Sequence, residues 1–405
     1  MRLFKHIVLI FTALFSSAGI LTLYAQPQNF HFTNYGVKDG ISYGVVNDIF
    51  RDSEGFLWIG TFNGLNRFDG STFKVFYSNP HDSSFICDND VLRICEDHDG
   101  NIWCATSKGV SRYNKSKNSF SNYRLTNPHG FALLTNFVNE ILCDRHGTVW
   151  CGTAAGVFEY DKMHDRFMGY YHDEKNPASP TNDHVYKNSF IEDPYTDGIW
   201  MSGKGGVNFL DTKTKQFYNY KNNPAHLPIF DSIFVYPLCV DSKGKLWYID
   251  RARTKMLCYD LLKHFVTATD LATDDKKKPL LSDVETIFID SKQQQWLSTW
   301  VHPLFFKRED EKMYRRFYHD EKINYSIGSD FFWDVLEERD GTLWFAGTSG
   351  ISRLEPSKQY YYLLSPKASL PAPLQFHDIS SIHQQNNRVL WLGTDSGLYS
   401  FDMIS

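Results

Sequence analysis

The stretch Asp52-Ser-Glu-Gly55-Phe-Leu-Trp58-Ile-Gly60-Thr61-Phe-Asn-Gly64-Leu65-Asn-Arg67-Phe-Asp69 decides the fold. Asp-x-x-Gly is a tight-turn signature, in which Asp caps its own backbone and Gly takes a positive φ. Leu-Trp-x-Gly-Thr after the turn is a strand, and Gly-Leu-x-Arg-Phe-Asp is the next. The alternating run Val45-Val-Asn-Asp-Ile-Phe50 precedes the turn, and Phe73 to Tyr77 follows the last strand. The unit is four short strands.

The unit recurs. Trp58, Trp103, Trp150, Trp200, Trp247, Trp296, Trp344 and Trp391 lie 45 to 50 residues apart, with Gly-Thr and a later Gly after Trp150 and Trp391 as after Trp58. That period with four strands is a propeller blade. The expected fold is therefore all-β, a β-propeller of four-stranded antiparallel blades with eight Trp-x-Gly-Thr-type repeats. The repeat Trp packs between neighbouring blades and the Gly after it lets sheets approach. A ring must hide its two edges. Phe30 to Tyr35 resembles a fourth strand without its first three, and the Trp391 unit lacks a fourth. Joining them gives a closed eight-bladed ring. The competing reading is seven blades, Trp58 to Trp344, plus the start of a second propeller.

Composition agrees. The chain is 16 % aromatic, 42 % hydrophobic and 22 % charged, which excludes a disordered tail protein. A net charge of −5 gives no basic field for nucleic acid. Residues 1–25 read as a signal peptide, with Arg2 and Lys5 ahead of an apolar run and a cut after Ala25. Residues 26–405 are then one periplasmic propeller domain, with no membrane contact beyond the signal segment. Seven cysteines without a CxxC pair suggest neither a zinc site nor a redox motif, and read as small buried hydrophobes.

The Trp-x-Gly-Thr-x-x-Gly-Leu-x-Arg-x-Asp pattern resembles the two-component regulator propeller repeat. It is clearest at Trp58, good at Trp103, Trp150, Trp344 and Trp391, and degenerate at Trp200, Trp247 and Trp296. The resemblance implies the periplasmic sensor region of a hybrid two-component system of Bacteroidetes. There, paired seven-bladed propellers bind glycan breakdown products and switch on polysaccharide-utilisation genes through a kinase. No kinase, receiver or second membrane span is read in these 405 residues.

The loops entering strand one and leaving strand two share one face of such a ring; the Asp-x-x-Gly turns occupy the other. Departures from the repeat gather on the first face, and a repeat that breaks its own rule marks a candidate site. Ile249-Asp-Arg251-Ala-Arg253 replaces Gly-Thr, and Thr299-Trp300-Val-His302-Pro303 does so one repeat later. The expected ligand-binding residues are Trp300, His302, Arg251, Arg253, Trp333, Tyr186, Tyr236 and Tyr43. Flat rings stack on sugars, and paired arginines hold a carboxylate or sulfate. No catalytic residue, cofactor or metal is expected. Asp97-His-Asp-Gly100 is the repeat's turn rather than a calcium loop. Gly203-Lys-Gly-Gly206 misses the Walker spacing and runs into a strand. The functional expectation is a non-catalytic sensor that binds an oligosaccharide and works with sensor-kinase domains or a partner protein. The alternatives are a propeller polysaccharide lyase or glycosidase, or a protein-interaction scaffold.

Overall fold

The computed structural model describes residues 30–128, 136–269, 283–300, 304–323, 325–356, 379–385, 389–394 and 397–402. The proposed signal peptide lies outside them. Blade 1 runs Val46–Arg51, Leu57–Thr61, Gly64–Phe68 and Phe73–Phe76, paired antiparallel in chain order. Five further four-stranded sheets follow, starting at Val91–Glu96, Val138–Cys143, Ile191–Glu192, Val235–Val240 and Val284–Ile289.

Blade 7 corrects the eight-bladed expectation. Its inner strands are Phe332–Glu337, Leu343–Gly347 and Gly350–Leu354, and its outer strand is the N-terminal Phe32–Tyr35. Phe32 pairs with Leu354 and Tyr35 with Ile351. The clasp expected at the N-terminus exists, but it completes the Trp344 unit. Blade 7 then meets blade 1: Trp344 packs with Val46, Ile49 and Leu57, and Gly350 N–H donates to Gly44 C=O at 2.7 Å. The ring closes at seven. Ile379–Gln384, Val389–Thr394 and Gly397–Asp402 form a three-stranded sheet that, among the described residues, pairs with no strand of the ring.

The repeat residues hold this together through one bond. Asp52 Oδ1 accepts the N–H groups of Glu54 and Phe56 and closes the turn, while Oδ2 accepts the indole N–H of Trp58 at 2.8 Å. The same carboxylate–indole bond joins Asp97–Trp103, Asp144–Trp150, Asp193–Trp200, Asp241–Trp247 and Asp290–Trp296 at 2.6 to 3.1 Å. Glu338 plays the part for Trp344, and Gln385 for Trp391. The satisfied indole is then free to bury its ring in the next blade. Trp58 packs with Val91, Ile94 and Ile102, and Trp103 with Val138, Ile141 and Val149. Gly60, two residues after Trp58, has no room for a Cβ, which would stand 2.9 Å from Val91 C=O of blade 2.

First strands carry a feature the repeat pattern did not show. In the ring six of them slip register by one residue after the first pair, at Val46/Asp48, Val91/Arg93, Val138/Glu140, Val235/Leu238, Val284/Thr286 and Phe332/Asp334. Such a bulge bends the strand and re-aims side chains. Asn139, in one bulge, reaches Val185 C=O of the next blade at 2.7 Å.

Two outcomes check this architecture. Asp144→Ala leaves the buried Trp150 N–H without its acceptor and is expected to cost about 1–3 kcal/mol in urea unfolding; a loss under about 0.5 kcal/mol would mean the bond is incidental. Removing residues 357–405 should leave the melting temperature within about a degree, whereas removing 30–35 lowers it by several degrees. The opposite ranking would restore an eight-unit closure.

Candidate functional site

The bulges place charge in the ring's centre. The Arg93 side chain of blade 2 is 12 % exposed, and its Nη1 lies 2.6 Å from Asp48 Oδ1 of blade 1 and 3.8 Å from Asp334 Oδ1 of blade 7. Its Nε is 3.5 Å from Glu140 Oε1 of blade 3. Burial opposes the charge on Arg93, but the carboxylates of Glu140, Asp48 and Asp334 outweigh it and keep the guanidinium firmly protonated. Burial pushes the Asp48 carboxyl well above the ordinary range, against the pull of Arg93. One cation thus ties four blades.

Blade 4 closes the channel above this knot. Its first strand stays in the sheet only at Val185, Tyr186 and Ile191–Glu192. Between them Asn188 adopts φ 53°, and the segment crosses the ring. Asn188 C=O accepts the N–H of Leu238 in blade 5, and Asn188 Nδ2 donates to Glu285 C=O of blade 6 and Trp333 C=O of blade 7, each at 3.2 Å. The channel is therefore plugged by its own backbone.

Over the plug lies a cavity of about 380 Å³. Its aromatic wall is His184, Tyr186, Phe234 and Tyr236; its polar edge is Asn139, Lys187, Arg251 and Glu285. Tyr186 meets Tyr236 edge-on at 5.8 Å. Arg251 lies 5.1 Å over the Tyr236 ring, and its Nη2 bonds Val284 C=O at 2.7 Å and Glu285 Oε1 at 3.1 Å. Burial and the Glu285 carboxylate raise the Tyr236 hydroxyl pKa, so it remains a donor. Burial lowers the His184 pKa, with Lys204 adding to the effect. Burial first, and then Arg93, lowers Lys187 to about 8, against Asp90, Glu140 and Asp48.

The expected residues divide into groups. Tyr186, Tyr236 and Arg251 share the cavity. Trp300 and Trp333 form a neighbouring aromatic block: Trp300 stacks on Phe331 at 4.6 Å and meets Trp333 edge-on at 4.8 Å. Trp300 is 57 % exposed, and Lys187 Nζ sits 5.4 Å over Trp333, joining block to cavity. Arg253 turns away, its backbone N–H on Asp250 and its Nη2 on Asp231 C=O at 3.2 Å. Tyr43 is exposed ahead of blade 1 and does not line the cavity. His302 lies outside the described residues. Sequence reading missed Lys187, Phe234, Asn139 and the Arg93 knot. The one available signal was a charge inside an apolar strand, as in Val91-Leu-Arg93-Ile-Cys95. Among the described residues no group of three His, Cys, Asp or Glu is placed to hold a metal.

Comparison with known proteins agrees with this architecture. Residues 40–63 and 86–108 match the two component regulator propeller family model, and the chain carries repeats of that kind. Over 77 residues it is 44 % identical to Histidine kinase P4 of Formosa agariphila, which is 19 % of this chain and 6 % of the kinase. The extracellular domain of a hybrid two-component system of B. thetaiotaomicron superposes with a TM-score of 0.67 at 21 % identity, over 93 % of this chain and 48 % of that one. Virginiamycin B lyase from Staphylococcus aureus superposes with a TM-score of 0.57 at 13 % identity, over 81 % and 99 %. At these identities the likeness of structure establishes the propeller fold, and the chain spans about half of the two-component domain.

The Lys187 environment sets a pH dependence. Its folded pKa is below the ordinary 10.5, so folding favours the neutral amine. That contribution is complete above 10.5 and is lost as pH falls through about 8. Below pH 8 the native state carries a buried charge that Lys187→Met removes. The variant should be more stable than wild type at pH 7 by on the order of 1 kcal/mol, a margin that closes towards pH 10.5. A margin independent of pH would show that Lys187 is not desolvated.

Proposed function

We propose that this chain is a non-catalytic, exported sensor propeller whose plugged channel mouth takes an oligosaccharide. The observation that carries this reading is the dead-ended cavity, with Tyr186, Phe234 and Tyr236 as ring faces and Asn139, Lys187 and Arg251 at its edge. Concave sites of that make-up, mostly apolar with a few convergent polar groups, suit a small polar ligand with flat apolar faces. Trp300, exposed beside the cavity, extends the stacking surface for a second sugar unit. The carboxylates near the cavity are held in structural pairs, Glu285 with Arg251 and Glu140 and Asp48 with Arg93. That favours binding over acid–base chemistry.

The likeness to an extracellular two-component domain and to a stretch of a histidine kinase supports a role in signalling, through kinase domains or a partner protein. Control of polysaccharide use and a periplasmic location belong to the same proposal. His184 favours a second reading. It lines the cavity, and burial keeps its imidazole unprotonated and able to take a proton, as a lyase requires.

Calorimetry of residues 26–405 against a panel of oligosaccharides tests the first reading. Tyr236→Ala should weaken binding by at least about tenfold, roughly 1.4 kcal/mol, with the circular dichroism unchanged. Trp300→Ala should weaken longer oligomers more than short ones. The absence of saturable binding by any glycan removes the proposal. Cleavage of a bound polysaccharide, abolished in His184→Ala, would replace it with the lyase reading.

A further inference from the structure

A second cavity, of about 450 Å³, lies between blades 4 and 5 and far from the channel residues in its lining. Its origin is visible by comparing the blades with one another. The fourth strand places an aromatic ring opposite the second residue of strand three: Phe76 opposite Leu65, Tyr123 opposite Val110, Tyr170 opposite Val157 and Tyr35 opposite Ile351. Each of these rings lies 5.5 to 6.0 Å from its own blade's tryptophan and 23 to 35° from its plane. The ring covers the outer part of the indole.

Blade 4 makes this contact with a ring from outside its fourth strand. Its fourth strand is Phe217–Tyr218, with Leu210 opposite Phe217 and Phe209 opposite Tyr218. The same register would put Tyr220 opposite Val207, where blades 1, 2, 3 and 7 put their covering ring; in blade 5 Thr269 stands there, opposite Met256. Asn219 prevents this. It is buried, donates to Ser179 C=O, and accepts the N–H groups of Lys221 and Asn222, so the chain turns back after two residues. Tyr220 is left 48 % exposed. Phe230, from the short 3-10 helix Pro228–Asp231, stands in for it, 6.0 Å from Trp200 and 34° from its plane. The space left over is walled by Trp200, Phe209, Tyr218, Phe230 and Leu261, with Asp197, Asp211 and Lys213 at its edge. Its volume is within the range of about 300–1,000 Å³ typical of small-molecule sites.

We propose that this cavity is a second binding site, for a flat aromatic ring that carries a hydroxyl or amino group. The ring enters the space that the turned-back fourth strand leaves open, among Phe209, Tyr218 and Phe230. Two carboxylates and one ammonium at the edge select a donor or cation over an anion. Asp193 holds the Trp200 indole, Asp197 holds Lys213 and His146, and Asp211 Oδ1 accepts the N–H groups of Lys213 and Thr214, which leaves Asp211 Oδ2 for the incoming group. The ring could come from a free small molecule or from a tyrosine side chain of a peptide; the chemistry at the walls is the same. This site is independent of the oligosaccharide reading.

Fluorescence and NMR titrations with tyramine, phenylacetate and N-acetyl-tyrosinamide test it, on residues 26–405. Tyramine should bind saturably and at least about tenfold more tightly than phenylacetate, a difference of about 1.4 kcal/mol. Leu227→Trp, which fills the cavity from its loop wall, should abolish that binding without lowering the melting temperature. Arg251→Ala, in the channel cavity, should leave it unchanged. N-acetyl-tyrosinamide binding as well as tyramine identifies a peptide side chain as the source; a marked preference for tyramine identifies a free amine. No saturable binding by any of the three rings overturns the proposal. So does binding that survives Leu227→Trp, or that prefers phenylacetate.

Discussion

Everything in this ring depends on a carboxylate that serves two masters. A tryptophan between two sheets is the largest apolar filler available, but its indole N–H must find a partner when water is excluded. The turn aspartate supplies it, because the residue that closes the hairpin lies six or seven positions before the indole. Turn, strand and inter-blade core are fixed by the same side chain. Blade 7 shows the tolerance: Glu338 substitutes for Asp with one more methylene, and the tryptophan still reaches blade 1. Seven such joints leave no open edge to be capped by an eighth.

The centre of the ring obeys another rule. First strands converge there, so side chains re-aimed by the bulges must fill the space or pair. Arg93 pairs with three carboxylates, an arrangement in which removing the single cation leaves uncompensated charge and typically costs about 3–5 kcal/mol. The crossing segment of blade 4 then seals the channel, contacting blades 5, 6 and 7 through Asn188. A ligand resting on Tyr186 and Lys187 would press on the one segment that touches most of the ring.

Much of this was legible in the chain itself. The tryptophan period named the architecture, and the Asp-x-x-Gly signature placed the turns; Gly55, Gly100, Gly147, Gly244 and Gly341 all have positive φ. The breaks at Arg251 and Trp300 fall in and beside the channel cavity. Other features were hidden for physical reasons. Closure depends on which edge Phe32–Tyr35 finds, and two edges of similar sequence competed for it. The bulges change no residue type, only register, so the convergence of Asp48 and Glu140 on Arg93 left no mark. Tyr220 looked like an ordinary fourth-strand aromatic; a single buried Asn219 ahead of it redirects the backbone. Arg251 and Arg253, two positions apart, looked like a pair, yet one faces Tyr236 and the other serves Asp250 and Asp231.

The seam in blade 7 gives the ring a mechanical character. Phe32–Tyr35 is four residues long and pairs with a strand more than three hundred positions away. Tension applied to the chain ahead of Phe30 loads those few hydrogen bonds first, together with Phe30 itself, whose ring lies 5.5 Å from Trp296. Blade 6, on which Phe30 packs, shares that load, while the strands of blades 1 to 5 pair within themselves and do not hold the seam. A propeller built this way has a weak point of defined position, at which a tether would unlatch one blade and leave the rest standing.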